Sequence, residues 1–205
     1  MTSGITVHLI DDDTAILDSL GLYLESKGFT VERHSRAQPF ARLAASTLDQ
    51  ACIVSDVRMP GMSGIDLQQH LNQRGVTAPL ILITGHGDID MAVAAIKAGA
   101  HDFLEKPFDE RRLVASIKAA MAAHAGRQQQ SQALADLRAS YSELSERQQQ
   151  VMDLAVKGRT NKEIGATLGI SPRTVEIYRA KVMERMGAYT LADLVRIALV
   201  IAERH

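Results

Sequence analysis

The chain has 205 residues and a formal net charge of −1, and 46% of its residues are hydrophobic, enough for the core of one large or two small domains. A single cysteine, Cys52, excludes an intrachain disulfide framework, so a reducing cytoplasm is the expected location. We expect no membrane contact, because no apolar stretch approaches the roughly 20 residues needed to cross a bilayer, and the N-terminus lacks a signal-peptide pattern.

The charge is unevenly distributed. Residues 1–124 hold 11 Lys and Arg against 15 Asp and Glu, whereas residues 125–205 hold 12 against 9. An acidic first part and a basic second part favour different partners for the two parts, although chance variation alone also explains so small a difference.

The first part, residues 1–124, alternates short β-type segments with amphipathic helical patterns, which is typical of βαβ units. Its third and fourth apolar segments are nearly continuous, as expected of strands covered on both faces. We therefore predict an α/β fold with a doubly wound, five-stranded parallel sheet and five helices, in which ligands bind at the carboxyl ends of the strands. The predicted strands are Thr6–Ile10, Thr30–His34, Ala51–Ser55, Leu80–Thr84 and Asp102–Glu105.

The second part begins with a predicted helical linker at residues 125–142, which is rich in glutamine. Its apolar residues, continuing to Leu144, suit either a short coiled-coil seam or a solvated linker helix, and the sequence leaves both open. Residues 143–205 have only helical patterns and predict a smaller all-α domain. The predicted N-caps are Ser145, Thr160 and Ser171, and the predicted helices are Glu146–Lys157, Asn161–Leu168, Pro172–Met186 and Leu191–Ala202.

Acidic and basic residues follow the predicted strands of the first domain. Asp11, Asp12 and Asp13 follow the first strand, and Asp56 follows the third. Because parallel strands end at one edge of the sheet, we expect these residues to meet Thr84 and Lys106, which stand at the ends of the fourth and fifth strands. Clustered carboxylates repel one another and favour a hard cation such as Mg²⁺, and an aspartate can act as a phosphoryl-accepting nucleophile.

Each of these residues has a plain structural explanation when it is taken alone, as a turn, a helix cap or a surface lysine. A different function class is a hydrolase with an aspartate nucleophile, which needs a second acid two positions later. Arg58 stands there and argues against that class. A receiver that switches without phosphate is disfavoured by the complete set of acidic, hydroxyl and lysine residues.

About the first 120 residues resemble the receiver family of two-component response regulators, which has a flavodoxin-like fold. The matching segments are Ile10-Asp11-Asp12-Asp13, Ser55-Asp56-Val57-Arg58-Met59-Pro60-Gly61-Met62-Ser63-Gly64, Ile83-Thr84-Gly85-His86-Gly87, Lys97-Ala98-Gly99-Ala100 and Phe103-Leu104-Glu105-Lys106-Pro107-Phe108.

This resemblance implies a role for each matching residue. Asp56 is the phosphoacceptor. The Mg²⁺ ligands are Asp12, Asp56 and the backbone carbonyl of Arg58, with Asp11 acting partly through water. Thr84 and Lys106 hold the phosphoryl group, Phe103 is the rotating switch residue, and the Lys106–Pro107 bond is cis. The resemblance also implies a sensor histidine kinase as partner and a homodimer after phosphorylation. It implies no enzymatic activity beyond phosphoryl transfer to its own aspartate and slow self-dephosphorylation.

Residues 161–181 predict a helix-turn-helix, with Gly169 in the turn. Seven Lys and Arg against three Glu between Lys157 and Arg185 suit binding to phosphates, and the second helix would enter the major groove of double-stranded DNA. A helical module that binds protein or RNA is the alternative, which a salt-dependent binding assay would decide. The candidate DNA-binding residues are Asn161, Lys162, Arg173, Thr174, Glu176, Ile177, Arg179, Ala180 and Lys181.

Nearly all of residues 144–200 resemble the LuxR-type DNA-binding domain of the NarL/FixJ family. The matching segments include Leu144-Ser145-Glu146-Arg147-Gln148, Asn161-Lys162-Glu163-Ile164, Leu168-Gly169-Ile170-Ser171 and Arg173-Thr174-Val175-Glu176. Gly165 departs from the usual alanine, at an expected cost in helix propensity.

The order of the domains and the sequences of the loops most resemble the FixJ branch. That resemblance implies activation, with RNA polymerase, of nitrogen-fixation or micro-oxic genes under an oxygen-sensing haem kinase. Other residues with reactive side chains have plainer explanations. Cys52 is expected to be a buried hydrophobe, and the seven histidines show no metal-ligand spacing.

Overall fold

A computed structural model describes residues 4–85 and 89–202 of the chain. Contacts divide the chain into two compact units, Met1–Gly126 and Arg127–His205. Within the described ranges, no helix combines the length and apolar character needed to cross a membrane.

The first unit is built on a five-stranded parallel sheet with the strand order β2-β1-β3-β4-β5. This order confirms the predicted doubly wound fold. One strand is longer than predicted, because β3 continues through Asp56, which pairs with Ile83. The strands are β1 (Thr6–Ile10), β2 (Thr30–His34), β3 (Ala51–Asp56), β4 (Leu80–Thr84) and β5 (Asp102–Glu105).

Helices connect these strands, and the connection between β2 and β3 differs from the prediction of a single helix. It contains two short helices, and the Arg74 guanidinium donates to the carbonyl oxygens of Ala41 and Leu43 where the first of them ends. These bonds satisfy carbonyls that the break leaves without helical partners. The helices are α1 (Thr14–Ser26), α2 (Ala37–Ala41), α3 (Ala45–Leu48), α4 (Gly64–Gln73), α5 (Ile89–Lys97) and α6 (Glu110–Ser142), whose last turns belong to the second unit.

The sheet is covered by apolar side chains on both faces, as the continuous apolar runs predict. One cluster contains Ile10, Phe40 and Leu67, and the other contains Val7, Leu9 and Ile117. Cys52 lies in the second cluster and is fully buried. Burial raises the pKa of its thiol to about 12, so it behaves as the predicted small hydrophobe rather than as a reactive thiolate.

The second unit is helical, and three of its helices begin at the predicted caps. The hydroxyls of Ser145, Thr160 and Ser171 each accept a hydrogen bond from the backbone N–H three residues later. The first two belong to complete capping boxes, in which a Gln or Glu side chain returns a bond to the cap residue. The remaining helices are α7 (Glu146–Val156), α8 (Asn161–Leu168), α9 (Pro172–Arg185) and α10 (Leu191–Ala202).

The predicted linker is helical, but its apolar residues are neither a free coiled-coil seam nor fully solvated. Leu137 and Tyr141 pack against a core cluster of the second unit that includes Leu144, Met152 and Val182. The Gln149 side-chain amide donates to the carbonyl oxygens of Tyr141 and Leu144, at 3.1 and 3.2 Å. The C-terminal turns of α6 are therefore part of the fold of the second unit.

Gly169 ends α8 with a φ of 68°, the left-handed conformation. We expect Gly169→Ala to destabilise the second unit by about 1–2 kcal/mol, because a Cβ is strained at this φ even though no atom lies within 4 Å of it. Gly126→Ala is a matched control, because Gly126 lies inside α6 with open space around it, so alanine should stabilise by up to about 1 kcal/mol. Urea unfolding measures the free energy of unfolding of both variants. Equal changes of the same sign would show that the left-handed φ of Gly169 does not set the cost of adding a Cβ.

Candidate functional site

Four strands of the first unit bring the predicted site residues to one edge of the sheet. Asp11 follows β1, Asp56 ends β3, Thr84 ends β4, and Lys106 follows β5. Backbone bonds fix this edge, because Lys106 N donates to Thr84 O at 2.7 Å and Asp11 N donates to His34 O at 3.1 Å.

A lysine ammonium joins two buried carboxylates at the centre of this edge. Lys106 Nζ lies 2.7 Å from Asp56 Oδ1 and 2.9 Å from Asp11 Oδ2. The two aspartates are only 7% and 4% exposed. The second oxygen of each carboxylate is held by the backbone: Arg58 N donates to Asp56 Oδ2 at 2.6 Å, and Asp13 N donates to Asp11 Oδ1 at 2.9 Å.

The three consecutive aspartates after β1 have different environments. Asp11 faces Lys106, and Asp12 is exposed at the surface. Asp13 is the N-cap of α1 and accepts from Ala15 N at 2.9 Å, which is the structural role that its position suggests.

Burial raises the pKa of Asp11, and the nearby charge of Asp56 adds to the rise, although hydrogen bonds from Lys106 and Asp13 act against it. For Lys106, burial alone would lower the pKa, but the hydrogen bonds and charges of Asp56 and Asp11 outweigh it, and the pKa is raised. The Lys106 ammonium is thus held in its charged form. Because this one cation is shared between two carboxylates, it does not fully offset the cost of burying the negative charge of Asp11.

We expect Asp11→Asn to raise the free energy of unfolding at neutral pH by about 1–2 kcal/mol without added divalent cations, because it removes an incompletely compensated buried charge. A carboxyl with a pKa above its unfolded value of 3.8 weakens the fold when ionised. The parent should therefore gain stability as the pH falls through the raised pKa of Asp11, and the variant should lack that gain. Urea unfolding from neutral pH down to acidic pH measures both the gain at neutral pH and its pH dependence. The control is Asp12→Asn, which changes an exposed carboxylate. If Asp11→Asn kept the pH dependence of the parent, the buried charge of Asp11 would not be its cause.

Thr84 and Phe103 are the remaining predicted site residues of the first unit. Thr84 is fully buried, and Phe103 is partly buried against the cluster that contains Ile10 and Leu82. The Lys106–Pro107 peptide bond is cis, as the resemblance implies. His86 and Gly87, which complete the motif after β4, lie outside the described residues.

Gly64 has a packing role that its place in a matching motif did not predict. It is the first residue of α4, and its N–H donates to Val57 O at 3.0 Å. A Cβ at this position would collide with the carbonyl oxygen of Asp56 and would lie 3.0 Å from Leu82 Cδ2 and 3.1 Å from Val57 Cα. The glycine therefore lets α4 begin directly against the end of β3. A glycine at the start of a helical pattern was the available signal.

The donor atoms at this edge are those that a hard divalent cation prefers. Asp11, Asp12 and Asp56 offer carboxylate oxygens, and the carbonyl of Arg58 lies in the loop after Asp56. Lys106 forms ion pairs with Asp11 and Asp56, so two negative charges meet one positive charge. The residues present therefore fit Mg²⁺.

The second unit contains the predicted helix-turn-helix, formed by α8, the turn at Gly169 and α9. Several candidate DNA-binding side chains are exposed along one face of α9 at helical spacing. They are Arg173, Glu176, Ile177, Ala180 and Lys181, and Lys162 is exposed on α8.

The other three candidates are partly buried and have partners within the unit. Arg179 Nη1 donates to Asn161 Oδ1 at 2.8 Å, which connects α9 to the first turn of α8. The hydroxyls of Thr174 and Ser171 lie 2.8 Å apart at the start of α9. The bond between Arg179 and Asn161 joins α9 to α8, a role that the sequence did not predict for these two residues.

Gly165 also does more than lower helix propensity. Its carbonyl oxygen accepts from Ile170 N at 3.0 Å, and a Cβ at 165 would lie 2.6 Å from Ile170 O. The turn between α8 and α9 therefore folds closely against α8 at this glycine.

Comparison with known proteins covers both units. Residues 7–118 match the response regulator receiver domain, and residues 142–198 match the bacterial regulatory proteins of the LuxR family. The chain is 47% identical to the transcriptional regulatory protein FixJ of Azorhizobium caulinodans, over 97% of this chain and 94% of that protein.

Two further relatives show the range of this group. The C4-dicarboxylate transport transcriptional regulatory protein DctR of Rhodobacter capsulatus is 42% identical over 94% of this chain and 98% of its own length. The solved structure of the response regulator StyR is 38% identical, with a TM-score of 0.83 over 96% of this chain and 98% of that one.

Proposed function

Because this chain belongs to the response regulators that join a receiver domain to a LuxR-type DNA-binding domain, we propose that a sensor histidine kinase phosphorylates Asp56 and thereby switches its binding to promoter DNA. The observation that carries the proposal is the Asp11–Lys106–Asp56 cluster, in which one ammonium lies 2.7 Å from the proposed phosphoacceptor. The chain would act as a switch and not as an enzyme on other substrates.

The transfer reaction follows from the groups around Asp56. A carboxylate oxygen attacks the phosphorus of a phosphohistidine, a P–O bond forms, the P–N bond breaks, and the imidazole leaves and takes a proton from solvent. The Lys106 ammonium, with its raised pKa, stays protonated and can neutralise charge on the transferred group. Slow self-dephosphorylation would follow when water attacks the phosphorus of the aspartyl phosphate: the P–O bond to Asp56 breaks, inorganic phosphate leaves and the carboxylate is restored.

Asp12, Asp56 and the carbonyl of Arg58 would hold Mg²⁺, with Asp11 acting partly through water. The bound cation supplies charge neutralisation for the phosphoryl oxygens. The excess of carboxylates over ammonium groups at this edge supports this assignment.

The switch would start at Thr84, which ends β4 and whose backbone carbonyl oxygen accepts from Lys106 N. We infer that the phosphoryl group draws Thr84 towards it and that Phe103 turns into the space that this movement opens. The partly buried position of Phe103 supports this role, since a side chain between core and surface can exchange between the two.

The exposed face of α9 would bind the major groove, with Arg173 near its N-terminal end and Lys181 nearer the backbone phosphates. Dimers formed after phosphorylation would place two such helices on an inverted repeat and recruit RNA polymerase. On the resemblance to the FixJ branch, we propose nitrogen-fixation or micro-oxic genes as targets and an oxygen-sensing haem kinase as partner; the 47% identity to a transcriptional regulatory protein named FixJ supports the resemblance itself.

The decisive experiment compares the parent chain with Asp56→Asn. Each is incubated with Mg²⁺ and acetyl phosphate, and the oligomeric state and the affinity for promoter DNA are measured. We expect dimer formation and tighter DNA binding in the parent alone. Equal responses of the two chains would place the phosphoacceptor elsewhere and contradict the proposal.

Arg173→Ala separates the DNA contact from the switch. This variant should still be phosphorylated and should still dimerise, but its affinity for DNA should fall and depend less steeply on salt, because a cation has been removed from the exposed face of α9. Unchanged DNA binding would mean that α9 is not the reading helix.

A further inference from the structure

Two histidines and a glutamate meet on the first two strands, away from the acidic edge. The parallel register pairs His8 with Glu32 and Ile10 with His34, so all three side chains project from the same face of the sheet. His8 Nδ1 lies 3.1 Å from His34 Nε2 and 3.4 Å from Glu32 Oε2.

Both separations are close to those of ligands that share one metal ion, and the ligand atoms of all three residues lie within 4.8 Å of one another. Zinc binds imidazole nitrogen at about 2.0–2.1 Å and carboxylate oxygen at about 2.0–2.2 Å, so two tetrahedral ligands lie about 3.3–3.5 Å apart. We propose that His8, Glu32 and His34 form a binding site for a divalent transition metal of the zinc and cobalt class, with water in the remaining position.

The surroundings hold the two imidazoles in this arrangement. His8 is only 3% exposed, and the Phe40 ring packs against both histidines, with ring centroids 5.2 and 5.0 Å away. The 3.1 Å contact between His8 Nδ1 and His34 Nε2 requires one ring nitrogen to accept a hydrogen bond, so at least one of the two is unprotonated, the form that metals bind. Glu32 is exposed and gives the ion access from solvent.

The ligand types distinguish this site from the proposed magnesium site. Imidazole nitrogens favour zinc, cobalt, nickel and copper, whereas an all-oxygen set favours magnesium. The second shell is incomplete, because His8 Nε2 is buried and has no hydrogen-bond partner among the described residues. Since such partners typically contribute about 10–100-fold in metal affinity, we expect moderate rather than very tight binding.

The two sites are close in the chain but use different side chains. His34 contributes its backbone oxygen to Asp11 N at 3.1 Å, while its ring faces His8. A metal on the rings would therefore fix the strand end that supports Asp11 without competing for the carboxylates.

The test is a titration of the untagged full-length protein with Co²⁺ in the presence of excess Mg²⁺, followed by visible absorption. We expect one equivalent to bind with the ligand-field bands of a low-coordinate nitrogen and oxygen site, and Zn²⁺ to displace it. Asp56→Asn should bind Co²⁺ equally well. Loss of the bands in Asp56→Asn would assign the cobalt to the acidic edge and overturn the proposal.

Two ligand variants complete the test. His34→Gln should abolish the bands. Glu32→Gln, which changes an exposed side chain and should not affect folding, should weaken binding at least as much as loss of a second-shell partner, about tenfold. His101→Gln is the matched control and should change nothing. Two results would overturn the proposal: absence of Co²⁺ binding in the parent, or the same affinity in Glu32→Gln and the parent. Either would show that His8 and His34 only share a hydrogen bond.

Discussion

Ile164→Ala is expected to lower the free energy of unfolding of the second unit by about 2–5 kcal/mol, because it leaves a cavity in a small core. Ile164 is 0% exposed and packs in a cluster with Val151, Ala155 and Val175. This cluster joins α7, α8 and α9, so its loss should also abolish DNA binding. Phosphorylation of Asp56 should persist, because the core clusters of the first unit contain none of these residues.

Ile81→Ala is the matched control, since Ile81 is equally buried in β4 of the first unit. It should lower the stability of the first unit by a similar amount and impair phosphorylation. For each variant, DNA binding and phosphate uptake are measured separately as a function of urea concentration. The two curves distinguish loss of the second unit from loss of the first. If each substitution weakened both activities to the same degree, the two cores would not be independent.

Gly64→Ala is expected to destabilise the first unit by about 1–3 kcal/mol and to slow phosphorylation of Asp56. The added methyl group meets the carbonyl oxygen of Asp56 and the Cα of Val57, and backbone atoms at the end of β3 cannot move aside as a flexible side chain can. The start of α4 must therefore shift away from β3, and it takes the loop after the phosphoacceptor with it.

Gly126→Ala again serves as the control, because it adds the same methyl group where no atom lies within 4 Å. The rate of phosphate uptake from acetyl phosphate and the urea midpoint are measured for both variants. A Gly64→Ala protein with parental stability and rate would show that α4 can retreat from β3 without consequence.

The sequence predicts the strands of the first unit well, because buried parallel strands produce continuous apolar runs that short turns interrupt. The caps of α7, α8 and α9 were also predicted and are confirmed, since an N-cap is a local interaction between a hydroxyl and a nearby backbone N–H. The acidic edge could be predicted because it requires only that parallel strands end together.

Three features that depend on side-chain contacts between distant residues were not predicted, because no rule of strand ends or helix caps brings these residues together. The break between α2 and α3 is supported by Arg74, which lies more than 30 residues later. Leu137 and Tyr141 have helical spacing, and spacing alone does not say which core they join. His8 and His34 are 26 residues apart, so no short motif connects them. Aligning the first two predicted strands in parallel register would have brought them together.

The two units should also acquire their structures at very different speeds. In the first unit, β1 pairs with β3, so Thr6 must find Ala51 across an intervening strand and three helices before the sheet can grow. The second unit consists of short helices, each started by its own cap and followed by a close turn, and such local contacts form fast. During synthesis the receiver half emerges first, yet its sheet stays incomplete until β5 has left the ribosome. The DNA-binding half, although made last, needs to wait for little more than its own final helix.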